Sequence, residues 1–251
     1  LEVADDFLDD YLQEEQGFIQ IGHLLILAGQ YLQARKWLML AEKSSAISPA
    51  AGENFVRELD KVEEVQQILG LEDFLGKKQA LSRMDQSNQP VSGAIWHHFS
   101  QGLTKNQFLS LMSDLLPQLH NPFLLPKLVE ELVCLRTSQP FELIDYMGNK
   151  QQIIPSELFP LREMPVFKQM HQVLDEQIGQ ENPILAESIL EELNDHFALS
   201  YPFLPATCAR DRALGAKLYR GVPESVFGQV RRKVMDDEIQ LRKKLHDYDR
   251  F

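Results

Sequence analysis

The chain has 251 residues, 37 of them acidic and 25 basic, for a formal net charge of −12, and it is 44% hydrophobic and 9% aromatic. The aromatic content argues against disorder, and the acidic balance disfavours a general nucleic-acid binder or a ligand of anionic membranes, since both need a basic face. The length allows one or two domains with a full core. Cys134 and Cys208 give no disulfide framework and lead us to expect a reducing, cytoplasmic compartment. They are too few for a closed zinc site without histidine or acidic help. The longest apolar run, Leu24-Leu25-Ile26-Leu27-Ala28, falls far short of the ~20 residues that span a bilayer. No signal peptide is visible. The start at Leu1 rather than Met leads us to expect an excised piece of something longer.

Residues 3–14 place Val3, Phe7, Leu8, Tyr11 and Leu12 on one face at helical spacing. No Lys or Arg occurs from Leu1 to Ala34, where Glu2, Asp5, Asp6, Asp9, Asp10, Glu14 and Glu15 stand. This acidic amphipathic segment leads into two helices joined by a tight turn at Gly29-Gln30-Tyr31, the second covering 31–45. Counting Glu15 as the first position, Phe18, Ile21, Gly22, Leu25, Ala34, Leu38 and Ala41 alternate large and small apolar residues along the pair. In this pattern Glu15–Pro49 resembles a tetratricopeptide hairpin. Gly22 and Ala34 are expected to let the two helices approach, and Ala41 to admit the next. The unit departs from the family at Leu25, where an aromatic is usual, and at Pro49, which lies beyond the usual closing proline. No clear second copy stands out.

The resemblance implies that Gln16, Ile19, His23 and Ile26 line the concave face of the first helix, as a groove for a peptide or helix. Without Lys or Arg it is no clamp for an acidic tail, and an apolar partner fits better. The competing expectation is that Ile19 and Ile26 pack against a neighbouring helix of the same chain.

Residues 53–69 read as a helix with Phe55, Val56, Leu59, Val62, Val65, Ile68 and Leu69 recurring every three or four positions, stopped by Gly70. A short helix over Leu71–Arg83 follows. Met84–Gly93 is polar, with Pro90 and Gly93, and reads as the linker. Helical segments at 94–101, 105–119 and 122–137 are punctuated by Pro117, Pro122 and Pro126. Residues 141–154 are the one place for strands, with Gly148-Asn149 able to turn a small β-hairpin. Helices resume at 165–179, 183–199, 207–219 and 223–248. The last has an apolar stripe of Val230, Val234, Leu241, Leu245 and Tyr248 between basic clusters at 231–233 and 242–244.

Catalytic signals are weak. His97 and His98 are adjacent and point about 100° apart on a helix, so they cannot easily share a metal. His171 and Asp175 share a face at i, i+4, and Asp195-His196 and His246-Asp247 add acid–imidazole neighbours. A helical metal phosphohydrolase uses such sets, but the His246-Asp247 pair lies too near the chain end for a further aspartate-bearing helix. Cys134 reads as a buried thiol. Cys208 lies near Arg210 and Arg212, which lower a thiol pKa. No nucleophile elbow, phosphate loop or dinucleotide fingerprint occurs.

The sequence therefore predicts an all-α protein, an irregular helical bundle or α-solenoid. It has a repeat-like part over 1–83, a linker at 84–93 and a helical domain over 94–251, with one continuous domain as the alternative. The expected function is a non-enzymatic protein–protein interaction module with a protein partner, no cofactor, no metal and no nucleic acid. The alternatives are a metal-dependent helical hydrolase using His171 and Asp175, and a structural subunit of a large complex.

Overall fold

The computed structural model describes residues 14–145, 148–174, 176, 187, 190, 194, 197, 198 and 201–203. The helices expected at 207–219 and 223–248 lie outside the described residues, as do 3–13, most of 183–199, Asp175, Asp195, His196, Cys208, His246 and Asp247. The fold is all-α with one small antiparallel strand pair. The chain divides into two compact units, Leu1–Leu158 and Phe159–Phe251.

The described residues of the first unit begin with α1 (Glu15–Leu27) and α2 (Tyr31–Lys43). Gly29 sits at φ +71, where glycine alone is unstrained. The amide of Gln30 donates to Leu25 O and that of Gly29 to Ile26 O, so two carbonyls at the helix end are satisfied in a Schellman closure. The turn is docked from outside as well. The Gly102 amide donates to Gly29 O, and the Gln30 side chain bonds His97 O and Ser100 Oγ. Helix α3 (Pro49–Leu69) starts at Ser48, whose hydroxyl accepts the Ala51 amide ahead of Pro49 at the first helical position. After Gly70 comes α4 (Leu71–Ser87), closed by Asn88 in the left-handed region.

Phe18, Leu25, Ala34, Trp37, Ala41, Phe55 and Leu59 form the heart of one core shared by α1, α2 and α3. Gly22 serves a different neighbour from the one expected. A Cβ there would stand 2.6 Å from the Phe55 ring, so the missing side chain makes room for α3 rather than for α2. A second repeat-like helix is also present. The period of about 34 residues that carries Glu15 onto Pro49 carries Phe18, Ile21 and Leu25 onto Gly52, Phe55 and Leu59, all buried. Sequence reading misses it because Gly52 stands where Phe18 does, Val56 where Gly22 does, and α3 runs on to Leu69.

Helix α5 (Gly93–Ser100) begins at the Ser92 cap. Helix α6 (Lys105–Leu115) begins at a capping box of Thr104 and Gln107 and continues as a 3-10 turn, Leu116–Gln118. Helix α7 (Leu124–Cys134) packs on α2. Trp96 meets Phe99 at a tilt and Phe108 edge-on, with the Lys127 ammonium 5.1 Å from its ring centroid. Strands β1 (Phe141–Ile144) and β2 (Lys150–Ile153) pair antiparallel, with Phe141 opposite Ile153 and Ile144 opposite Lys150, as the hairpin reading expects. Asp145 accepts the Asn149 amide, and Gly148 turns at φ +82.

The expected linker at 84–93 falls inside the first unit. Helix α4 continues through Ser87, Asp85 accepts the amides of His120 and Asn121, and Asn121 Nδ2 donates to Met84 O and Gln89 O. Those bonds come from residues more than thirty positions away, which a local reading of polar residues does not register. In the second unit, α8 (Pro165–Leu174) places Phe167 against His171 and edge-on to Phe197, and the Tyr201 hydroxyl donates to Phe159 O.

Candidate partner-docking surface

Helices α1 and α3 lie side by side and run the same way. Their starts are tied by the Ser48 amide, which donates to Glu15 Oε2 at 2.7 Å. That backbone bond, aided by the Ser48 hydroxyl, lowers the Glu15 pKa. Farther along, Phe18 meets Phe55 edge-on at 5.1 Å, and His23 stacks on Phe55 and pairs with Glu58 at 3.1 Å.

The four residues expected to line a groove separate on this scaffold. Gln16 is exposed. Ile19 is half-buried and leans on the shared core. His23 is half-exposed, its ring engaged by Phe55 and Glu58. Ile26 is 8% exposed and belongs to the core itself. The expectation that Ile19 and Ile26 pack against a neighbouring helix thus describes Ile26 fully and Ile19 in part.

The α3 stripe also divides. Phe55 and Leu59 are buried and Val56 and Val62 partly so, whereas Val65, Ile68 and Leu69 are exposed. Between these stretches sits a buried ion pair that sequence reading missed. Glu63 holds Arg35 of α2 with both carboxylate oxygens, and its Oε1 also accepts the Lys105 amide at the start of α6. Asp60 takes a third bond from Arg35. Burial opposes the Arg35 charge, but the bonds and attraction of Glu63 and Asp60 outweigh it and raise its pKa. Burial, with the Glu63 charge nearby, pushes the Tyr31 hydroxyl up. The only sequence cue was a basic residue inside an apolar hairpin, and its partners lie 25 and 28 residues away.

Among the described residues weighed for chemistry, Cys134 and His171 have structural surroundings. Burial pushes the Cys134 thiol up to about 12, which keeps it protonated and inert. The main-chain carbonyls of His97 and His98 accept from the Gln30 and Lys77 side chains, which ties down the backbone at this pair. His171 Nε2 lies 3.3 Å from Asn194 Oδ1. Among the described residues no group of three or more His, Cys, Asp and Glu is placed to hold a metal, and no helix is long and apolar enough to cross a membrane.

Over 68 residues the chain is 35% identical to TPR repeat-containing protein YsoA of Bacillus subtilis (strain 168), a match covering 27% of this chain and 20% of that protein. The chain thus matches about a fifth of the length of that curated relative. No family model and no solved structure matches. The likeness supports tetratricopeptide-like helical repeats in this chain.

Proposed function

We propose that this chain is a non-enzymatic protein–protein interaction module, an adaptor, chaperone or regulatory subunit. It docks a partner helix or extended peptide along the border of α1 and α3. The observation that carries this reading is the parallel seating of those helices, which leaves Gln16, Ile19 and His23 accessible on one edge. The repeat-like segment shared with YsoA supports it. Ile19 supplies apolar contact, His23 and Glu58 supply a polar edge, and Ile26 supports the surface from beneath. The acidic segment before Glu15 would raise the on-rate for a basic partner.

Capture from source-cell lysate by the full chain and by the Gln16→Asp/Ile19→Asp variant, with partners identified by mass, tests the reading. Ile26→Asp is unsuitable, because it buries a charge in the core and unfolds the hairpin. A protein held by the native chain and lost by the variant, with circular dichroism unchanged, is the expected result. Equal capture by both overturns the assignment to this edge.

A further inference from the structure

We infer that the corner between α3 and α4 is a second docking surface, whose occupant is an amphipathic helix with its apolar stripe bordered by lysine or arginine. Val65, Ile68 and Leu69 occupy the last turns of α3, and Leu71 and Leu75 the first turns of α4, with Gly70 between them. All five are between 57 and 77% exposed. Exposed single apolar residues are ordinary, but five large ones within eleven positions are a density of the kind that marks an interaction site. The spacing within each helix is i, i+3 or i, i+4. Each run is therefore a one-sided stripe of the sort that faces a core, while the core contacts of these helices come from Phe55, Leu59 and Leu81.

The size of the patch selects the occupant. A stable two-fold dimer engages roughly 20–30 residues a side, and five apolar side chains fall short of that. They suit a single helix, which lays down a few anchors at i, i+3 or i+4 and i+7. The charges select its border. Glu64 lies one turn before Ile68 and Asp73 between Leu71 and Leu75, both exposed. Two of the three cations of α4 are engaged elsewhere, Lys77 with His98 O and Lys78 with Asp114, and the third, Arg83, lies two turns beyond Leu75. Lys61, one turn before Val65, offsets part of this field, but the chain as a whole carries −12. A basic border on the partner is attracted and an acidic one repelled.

The inference rests on reading the chain as an interaction module, yet it uses none of Gln16, Ile19 or His23, so the two surfaces fail separately. The test uses the full chain and synthetic amphipathic peptides of about five helical turns, identical in their leucine stripe and bordered either by lysine or by glutamate. Fluorescence anisotropy is expected to show the lysine-bordered peptide binding about tenfold tighter. Ile68→Ser/Leu71→Ser should lose that binding, Glu64→Lys/Asp73→Lys should reverse the preference, and Ile19→Asp should leave it unchanged. Equal affinity for both peptides, or no binding, overturns the proposal. Loss in Ile19→Asp with retention in Ile68→Ser/Leu71→Ser also overturns it while leaving the α1–α3 edge standing. Sedimentation showing a dimer abolished by Ile68→Ser/Leu71→Ser would replace the helix with a second copy and overturn it too.

Discussion

The stretch of α3 from Phe55 to Leu59 and the last two turns of the same helix carry apolar residues at the same helical spacing, yet one stretch is core and the other is surface. Phe55 and Leu59 lie beneath α1 and α2, while Val65, Ile68 and Leu69 extend past the end of α1 with nothing from the first unit's described residues covering them. Helical periodicity specifies a face. Whether that face is buried depends on whether a neighbouring helix reaches it, and α1 ends at Leu27.

The sharpest way to break the contrast is to truncate one residue from each stretch. Leu59→Ala should lower unfolding free energy by about 2–5 kcal/mol, the range for a buried leucine, while Ile68→Ala should stay within about 0.5 kcal/mol. Urea denaturation of both variants reads the difference, and a similar loss from each would show that the corner is covered. The boundary between the two stretches is Glu63. Glu63→Ala leaves Arg35 buried with Asp60 as its remaining charged partner, and we expect a loss of about 3 kcal/mol, followed by thermal and urea unfolding. Arg35→Met/Glu63→Leu should recover most of it, because replacing both charges by apolar groups removes the stranded ion.

Gly22→Ala probes how closely α3 approaches α1. Its new Cβ meets the Phe55 ring, so the expected cost is about 1–3 kcal/mol. In combination with Phe55→Leu the two penalties should be less than additive, which a double-mutant cycle measures. The smallest effect concerns the tie between the helix starts. The Glu15 carboxyl is lowered from its ordinary value of 4.5, so its contribution is present above that value and is lost as the pH falls through the lower folded one. Glu15→Gln should flatten that part of the acid limb in a pH series of denaturation curves and leave the curve above it parallel to the native one.

Much of the fold was legible because its signals are local. Gly29, Gly70 and Gly148-Asn149 each mark a boundary by their own backbone chemistry, and the helices and strand pair begin or end near them. The α1–α2 hairpin was legible because seven residues repeat a known alternation of size. What escaped depends on distant neighbours. Gly22 was assigned to the wrong helix because a gap in a sequence does not say who fills it. Met84–Gly93 looked like a linker because the groups that hold it, Asn121 and the amides accepted by Asp85, come later in the chain. The four residues expected to line a groove all fall on α1, but depth separates Gln16 from Ile26, and depth is set by where α3 lies.

Arrays of helical repeats are commonly divisible, so that one repeat can be removed and the others persist. The Glu63 carboxylate resists such division here. It takes the Arg35 guanidinium from one hairpin and the Lys105 amide from the helix that begins after α5. A fragment ending at Ser87 would lose the amide and expose the buried pair to water, while a fragment beginning at Gly93 would start α6 with an unanswered amide. The seam of this molecule runs through a single side chain, and a cut on either side of it should yield pieces less stable than their share of the whole.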